Sequence, residues 1–252
     1  MTTSIPIKQV FKQPESYALE ERLDYCQGCG HGIALRLVSE VIDEMGLREN
    51  AMAVLGVGCY STNSVLFNFD TYWVTHGRAP AHATAVKRLR PEHLVFTLQG
   101  DGDCAAIGTT EIVHAAGRGE RFTTIMLNNS NYGETGGQLA PTTVLGQKTK
   151  STARGRDAEL HGQPIRLPEM LATMDSVVYC ARGALNSPMN IGKAKKAIRA
   201  AFEIQRQGTG FGFVELLTAC PSGWRLTPAE AMEWMKNVQS RTFPLGVIKE
   251  PE

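Results

Sequence analysis

Apolar runs alternate with amphipathic stretches along most of the 252-residue chain. The amphipathic stretches carry apolar residues near helical spacing, as at Leu35, Val38 and Ile42, whereas the short continuous runs are typical of buried strands. Because the two kinds of element alternate, the pattern predicts an α/β fold with three layers, a mostly parallel sheet covered by helices on both faces. Helices are predicted at 32–45, 81–89, 105–116 and 188–205, and strands at 51–57, 94–98, 123–127, 177–180 and 211–217.

Three segments carry neither pattern. Residues 1–24 are predicted to form an irregular N-terminal arm, since Pro6 and Pro14 interrupt regular structure there. Residues 60–80 are predicted to be an aromatic loop. The polar segment from Ala140 to Gln163 is long for a loop inside a compact domain, so we expect it to be functional or to face a partner.

The predicted domain organisation is one domain, residues 25–240, between the arm and a C-terminal tail at 241–252. The last helix of this domain is predicted to begin at Thr227, a suitable N-cap. Pro228 then occupies the first helical position, and Glu230 completes a capping box.

Composition and charge narrow the range of partners. A net charge of +1 and a pI of about 7.6 give no electrostatic reason to expect nucleic acid or an anionic membrane. No apolar run approaches the length that spans a bilayer, and residues 1–16 lack the apolar core of a signal peptide. We therefore expect a cytoplasmic protein that binds neither nucleic acid nor membrane.

The most informative motif is Gly100-Asp101-Gly102, separated by 25 residues from Asn128-Asn129. Each part follows a predicted strand, so both loops should lie at the carboxyl edge of a parallel sheet, where α/β folds bind ligands. A carboxylate and backbone N–H groups on one loop, with amide oxygens on the other, suit a diphosphate chelated to Mg²⁺. The alternative is an ordinary glycine-rich turn followed by asparagines that only form a turn.

Four of the six cysteines form a second motif. Cys26 and Cys29 are a CxxC pair, while Cys59 and Cys220 each follow a predicted strand. Three loops at one sheet edge could converge on four thiolates, which suits either a [4Fe–4S] cluster or zinc, and a redox-active CxxC pair is a third alternative. The other two cysteines lie inside predicted elements and are interpreted as buried apolar residues: Cys104 and Cys180.

Together these motifs resemble one family. Gly-Asp-Gly with the paired asparagines is similar to the signature of thiamine diphosphate (TPP) enzymes. With CxxCG, Gly58-Cys59 and Cys220-Pro221 added, the chain resembles the TPP-binding, beta-type subunit of 2-oxoacid:ferredoxin oxidoreductases over roughly residues 25–235. Three segments are most like the 2-oxoisovalerate (branched-chain) type: HGRAP from His76, APTT with LGQKT from Ala140, and CPSGW from Cys220. Thr62 replaces a basic residue of other branches, which weakens a pyruvate or 2-oxoglutarate assignment.

The resemblance implies a TPP-binding fold of the PP type, with three cofactors: TPP, Mg²⁺ and a [4Fe–4S] cluster. It implies that Mg²⁺ is bound by Asp101, Asn129 and the backbone carbonyl of Asn131. The cofactor-binding residues implied are Gly100, Asp101, Gly102, Asp103, Asn129, Asn131, Gly133 and Thr135. The cluster ligands implied are Cys26, Cys29, Cys59 and Cys220.

The resemblance also implies the activity and the partners. A 2-oxoacid would be decarboxylated oxidatively to acyl-CoA and CO₂, with the electrons passing through the cluster to ferredoxin. In that family the Glu that pairs with the aminopyrimidine lies on a separate, alpha-type subunit, and no Glu of this chain lies in a comparable context. We therefore expect an obligate heteromer, with a small ferredoxin-like subunit as a further candidate partner.

Two histidines beside these motifs, His31 and His76, are candidates for the catalytic wall of the site, and hydrogen-bonded structural histidines are the alternative for both. Arg78 could bind a carboxylate or a phosphate, or could equally cap a helix. Two other functions remain open at this point. A non-redox TPP decarboxylase or carboligase would need no cysteines, and a zinc-stabilised binding module would leave the Gly-Asp-Gly spacing unexplained.

Overall fold

The computed structural model describes residues 12–18 and 24–251, and within these ranges seven strands form one sheet in the order β2-β1-β3-β4-β6-β5-β7. Neighbouring strands are parallel except for β7, which pairs antiparallel with β5. The strands are β1 Ala51–Leu55, β2 Asp70–Trp73, β3 Leu94–Gly100, β4 Thr123–Asn128, β5 Val177–Ala184, β6 Phe211–Leu217 and β7 Gly246–Lys249.

Helices connect the strands and cover the sheet. The α-helices are α1 His31–Glu44, α2 Cys59–Thr62, α3 Ala79–Leu89, α4 Thr109–Gly117, α5 Ala158–His161, α6 Leu167–Ala172, α7 Pro188–Gln207, α8 Pro221–Trp224, α9 Pro228–Trp234 and α10 Ser240–Thr242. Short 3₁₀ turns span Arg48–Asn50 and Ser64–Leu66, and π-helical turns span Asp103–Ile107 and Met235–Gln239. Among the described residues, no helix has both the length and the apolar character that a bilayer crossing requires.

Two hydrophobic clusters lie on opposite faces of the sheet. Because successive residues of a strand point to opposite sides, Val95 packs in the cluster with α3, α4 and α6, whereas Phe96 packs in the cluster with α1 and α7. Phe96 lies 5.3 Å from the Phe202 ring of α7, measured between centroids. This layering of helices on both faces of a mostly parallel sheet confirms the predicted α/β architecture.

Two strands differ from the sequence prediction. β2 lies inside the predicted aromatic loop, and β7 lies inside the predicted C-terminal tail. Both are edge strands, and all four residues of β2 are exposed. Periodicity identifies a strand by burial, so an exposed edge strand leaves little signal in the sequence.

The described part of the N-terminal arm and the polar segment both pack onto the domain. Ser16 donates its backbone N–H and its hydroxyl to Asp43, and the buried Tyr17 bridges to Phe67, while most of the predicted arm lies outside the described residues. The guanidinium of Arg156 donates to backbone carbonyls of residues 140, 141, 143 and 161–163. The long polar segment is therefore an ordered loop that includes α5.

Candidate active site

A cavity opens at the carboxyl ends of β1, β3 and β4. Open α/β sheets bind ligands at this edge, outside the ends of their parallel strands. Every residue predicted from the sequence to be catalytic or cofactor-binding lines the cavity, and Cys59 joins them: His31, Cys59, His76, Gly100, Asp101, Gly102, Asp103, Asn129, Asn131, Gly133 and Thr135.

Asp101 places a buried carboxylate in the cavity wall, with 2% of its surface exposed. One oxygen accepts the backbone N–H of Gly102 at 3.0 Å, and the other accepts the hydroxyl of Thr142. Burial raises the pKa of Asp101 to about 7, because a carboxylate away from water loses solvation. Each oxygen keeps a lone pair free of protein donors among the described residues, as a metal ligand must.

The loop after β4 turns sharply, so its asparagine side chains lie in different places, one inside the fold and two at the cavity. Ser130 has a φ of +57°, a left-handed conformation rare outside glycine. Asn128 turns into the fold and donates to Glu215 at 2.6 Å. Asn129 and Asn131 remain at the cavity, joined by the 3.3 Å bond from the Asn131 N–H to the Asn129 side-chain oxygen. We call Asp101, Asn129 and Asn131 the clamp, since their carboxylate, amide and carbonyl groups are the hard oxygen donors that Mg²⁺ prefers.

Two glycines allow close packing around the clamp. A Cβ on Gly102 would lie 2.2 Å from the Tyr132 ring, so only glycine fits there. A Cβ on Gly133 would lie 3.2 Å from the Asn129 amide nitrogen and 3.4 Å from the sulfur of Cys59. The clamp and Cys59 therefore both pack against the backbone of Gly133.

A buried ion pair supports the clamp from inside the sheet. Glu215 on β6 accepts from Asn128 and from the guanidinium of Arg182 on β5. The same guanidinium makes two bonds, of 2.8 and 2.6 Å, to Glu169. Sequence reasoning missed this group, although a charged residue inside an apolar strand, as in FGFVELL, is a signal that could have found it.

Asp103, predicted to bind cofactor, has a carboxylate that bonds to protein on both oxygens. One oxygen accepts the backbone N–H groups of Val57 at 3.2 Å and Gly77 at 2.8 Å, and the same oxygen bonds to Nδ1 of His76. The other oxygen accepts the amide of Gln99 at 2.6 Å. The loops after β1, β2 and β3 are thus joined at one side chain.

His31 lies deep in the cavity and His76 near its rim. His31 is 3% exposed, and burial lowers its pKa to about 4, so the imidazole is neutral at pH 7. Among the described residues neither nitrogen of its ring has a hydrogen-bond partner, and the hydroxyl of the neighbouring Tyr60 has none either. Buried polar atoms without partners in a cavity wall are suited to a bound ligand. Arg78 forms an ion pair with Glu111 within the fold.

Cys26, Cys29, Cys59 and Cys220, here called the four-cysteine group, come from three loops at the cavity edge. The backbone N–H of Gly30 donates to the carbonyl of Ala219 at 3.1 Å, which ties the CxxC loop to the Cys220 loop. The Cys220 thiol lies 3.8 Å from the side-chain oxygen of Asn131. None of the four forms a disulfide.

Electrostatics also link the four-cysteine group. Burial, with smaller contributions from the charges of the other cysteines of the group and, for Cys59, of Glu134, raises the pKa of Cys29 and of Cys59 to about 12 each. Across residues 12–18 and 24–251, no set of three or more His, Cys, Asp or Glu side chains is arranged to hold a single metal ion. Cys104 and Cys180 are fully buried in the core, as expected for small apolar residues.

Residues 50–216 match the family model for the thiamine pyrophosphate enzyme, C-terminal TPP binding domain. This match covers more than half of the chain. The chain belongs to the thiamine pyrophosphate enzymes. The TPP-binding region begins just before β1 and ends in β6, so it contains the loops that carry Asp101 and Asn129.

Two curated relatives place this TPP-binding chain among the subunits of 2-oxoacid:ferredoxin oxidoreductases, which confirms the resemblance read from the motifs. Ketoisovalerate oxidoreductase subunit VorA of Methanothermobacter marburgensis is 40% identical over 94% of this chain and 52% of its own length. 2-Oxoglutarate synthase subunit KorB of Archaeoglobus fulgidus is 37% identical over 84% of this chain and 75% of its own length. The chain thus spans about half the length of the ketoisovalerate relative.

A solved structure shares the fold of the TPP-binding chain. It is the 2-oxoglutarate:ferredoxin oxidoreductase from Magnetococcus marinus, with 2-oxoglutarate, coenzyme A and succinyl-CoA bound. The likeness has a TM-score of 0.73 and covers 97% of this chain and 87% of that one, at 24% sequence identity. At this identity the comparison supports the architecture rather than the substrate.

Proposed function

We propose that this chain is the TPP-, Mg²⁺- and [4Fe–4S]-binding subunit of an enzyme that converts a 2-oxoacid and CoA to acyl-CoA and CO₂, with electrons passing to ferredoxin. The observation that carries the proposal is the convergence on one cavity of the clamp, two histidines and Cys59. A TPP site beside a thiolate site is the arrangement that oxidative, rather than non-redox, decarboxylation needs.

The clamp fits a magnesium diphosphate. Asp101 and Asn129 would bind Mg²⁺ through side-chain oxygens, and Asn131 would bind it through its backbone carbonyl. Bound TPP would supply the carbanion and the electron sink for cleavage of the bond between the carboxylate and the 2-oxo carbon. The protein residues would orient the cofactor, while His31 and Tyr60 at the buried end would present uncharged hydrogen-bonding groups to the bound molecules.

The four-cysteine group fits a cluster better than a single ion. Thiolates that bind different irons of a [4Fe–4S] cluster stand further apart than the four ligands of one tetrahedral zinc. The side chain of Asn131 contacts Cys220, and Gly133, which lies against Asn131, also faces Cys59. Since no three His, Cys, Asp or Glu side chains of the described residues are arranged to hold one metal ion, these contacts support a cluster as the group that the three loops enclose.

The substrate proposed is a branched-chain 2-oxoacid, because the ketoisovalerate relative is 40% identical over nearly the whole chain. The partner proposed is an alpha-type subunit that supplies the Glu for the aminopyrimidine. We also propose a cytoplasmic location, since all six cysteines are free thiols and such thiols persist in a reducing compartment.

The test is anaerobic purification of the chain with its alpha-type partner, followed by ferredoxin reduction assays across a panel of 2-oxoacids with CoA. We expect a brown complex that reduces ferredoxin with 2-oxoisovalerate and that loses all turnover when the partner is omitted. Turnover by the isolated chain would contradict the heteromer. Aldehyde release without ferredoxin reduction would favour a non-redox decarboxylase, and a colourless zinc protein without TPP affinity would favour a binding module.

A further inference from the structure

The imidazole of His76 and the carboxylate of Asp103 form a pair on the cavity wall, and no hydrogen bond of the described residues joins this pair to the clamp. The carboxylate bonds to Nδ1 of His76. Three further protein donors, from Val57, Gly77 and Gln99, hold that carboxylate in place. This environment favours a fixed, charged hydrogen-bond acceptor over a ligand for diphosphate or metal.

The pair determines which ring nitrogen of His76 faces the cavity. A carboxylate accepts a hydrogen bond but does not donate one, so in the neutral imidazole Nδ1 carries the hydrogen and Nε2 carries the lone pair. Within the described residues Nε2 has no hydrogen-bond partner. The His76 side chain is 30% exposed, whereas the deeper His31 is 3% exposed. His76 is thus the histidine of the cavity that a molecule arriving from solvent reaches first.

We propose that His76 is the base that takes the proton of the CoA thiol, and that Asp103 is the residue that positions it. This inference rests on the proposed function. The S–H bond breaks as an N–H bond forms at Nε2, and the carboxylate of Asp103 stabilises the resulting imidazolium. The thiolate would then bond to the acyl carbon, and the bond from that carbon to TPP would break with its electron pair remaining on TPP. The two electrons of the oxidation leave through the cluster to ferredoxin.

One substitution can remove the charge of Asp103 while preserving the shape of its surroundings. In Asp103→Asn the amide oxygen can keep the bonds to Val57, Gly77 and His76. The new NH₂ then faces Gln99, whose side-chain oxygen has no partner in the described part of the chain. If the side-chain amide of Gln99 flips, its oxygen accepts from the new NH₂ of residue 103, and both of these groups are then hydrogen-bonded. We therefore expect this variant to fold and to lose mainly the charge beside the imidazole.

The experiment uses the purified complex and separates two phases of one turnover. Mixing with 2-oxoacid alone reports CO₂ release and the first reduction of the cluster, and addition of CoA reports acyl transfer and ferredoxin reduction. In Asp103→Asn we expect the CoA-dependent rate to fall about 10- to 100-fold, with a much smaller change in the first phase and in the KM for CoA. His76→Ala should show the same pattern, partly restored by added imidazole.

Two controls distinguish this role from cofactor binding and from folding. Asp101→Asn, two residues away in the same loop, should lose TPP affinity and both phases. His114→Gln, on the exposed face of α4, should change neither. Equal loss of both phases in Asp103→Asn, or no rescue of His76→Ala by imidazole, would overturn the inference. A wild-type complex without 2-oxoacid activity would instead refute the proposed function.

Discussion

The clamp and the four-cysteine group share one edge of the sheet, yet they are built in opposite ways. Asp101, Asn129 and Asn131 are at most 5% exposed. Thr142 donates to Asp101, Trp224 donates to the carbonyl of Asn129, and the two asparagines bond to each other. The cysteines come from three loops, and Cys26 is exposed. The clamp is preorganised by the protein, whereas the four thiols come from separate loops and no disulfide joins them.

The difference indicates how each site depends on its ligand. A preorganised site loses little conformational entropy on binding, so its ligand adds affinity without being needed for local structure. A site whose ligands come from separate loops gains part of its order from the metal, and metal binding is then coupled to local folding. We therefore expect damage to the clamp to abolish binding while the fold persists, and damage to the cysteines to alter the loops as well.

The largest expected effect is at the clamp itself. Asp101→Ala removes the charged ligand proposed for Mg²⁺, and we expect no measurable TPP binding by isothermal titration and no activity of the complex. The fold should persist, because a buried carboxylate is costly and its removal leaves a small side chain. Asp175→Ala, an exposed position outside the cavity, is the matched control. Unchanged TPP affinity in Asp101→Ala would show that the clamp does not bind the cofactor.

The next effect concerns the four-cysteine group. Cys220→Ser should lose most of its iron and its ferredoxin reduction, because serine replaces a thiolate ligand with a poor iron ligand. Cys104→Ser and Cys180→Ser serve as controls and should retain iron, since both thiols are buried in the core. Limited proteolysis should cut the CxxC loop faster in Cys220→Ser than in wild type. Full iron in that variant, or zinc in the anaerobic wild type, would contradict the cluster.

A third effect tests the support behind the clamp. Arg182→Met leaves the buried Glu215 and the partly exposed Glu169 without their partner, and breaking a buried pair costs about 3–5 kcal/mol of unfolding free energy. Replacing the exposed Arg206, which pairs with Glu203, by Met should cost below about 1 kcal/mol. Urea denaturation of the two variants measures the difference. Equal losses would mean that the buried pair contributes no more than a surface pair.

These two regions also show what could be predicted from the sequence. The Gly100-Asp101-Gly102 spacing located the cavity, because both of its loops end parallel strands at the same edge. The hydrogen bond from Thr142 to Asp101 could not be predicted, since it joins Asp101 to a residue of the polar segment that is 41 positions away. Three of the four bonds to Asp103, those from Val57, His76 and Gly77, were missed for the same reason. Local periodicity carries no information on which distant loops meet.

The fold shows the same distinction. The interior strands β1, β3, β4, β5 and β6 were predicted, because burial on both faces leaves continuous apolar runs. The edge strands β2 and β7 were missed because one side of each is open to solvent. Membership of the cofactor family was predictable from the spacing of a few polar residues, whereas the charge network beneath them required the three-dimensional structure.

The smallest effect predicted is at Thr142, whose hydroxyl hydrogen bond keeps the pKa of Asp101 from rising further above its ordinary value. Burial already raises that pKa to about 7, so in Thr142→Val we expect it to rise further and more of the carboxyl to be protonated at pH 7. Since Mg²⁺ needs the ionised form, the affinity for magnesium-TPP should fall about tenfold at pH 7, the cost of one charged hydrogen bond. The deficit should shrink as pH rises through 8 to 9, where Asp101 ionises in both proteins. Titration calorimetry at these pH values measures the difference in affinity between Thr142→Val and wild type. Thr173→Val, at an exposed position, is the control. A deficit that is the same at every pH would show that Thr142 contributes only packing.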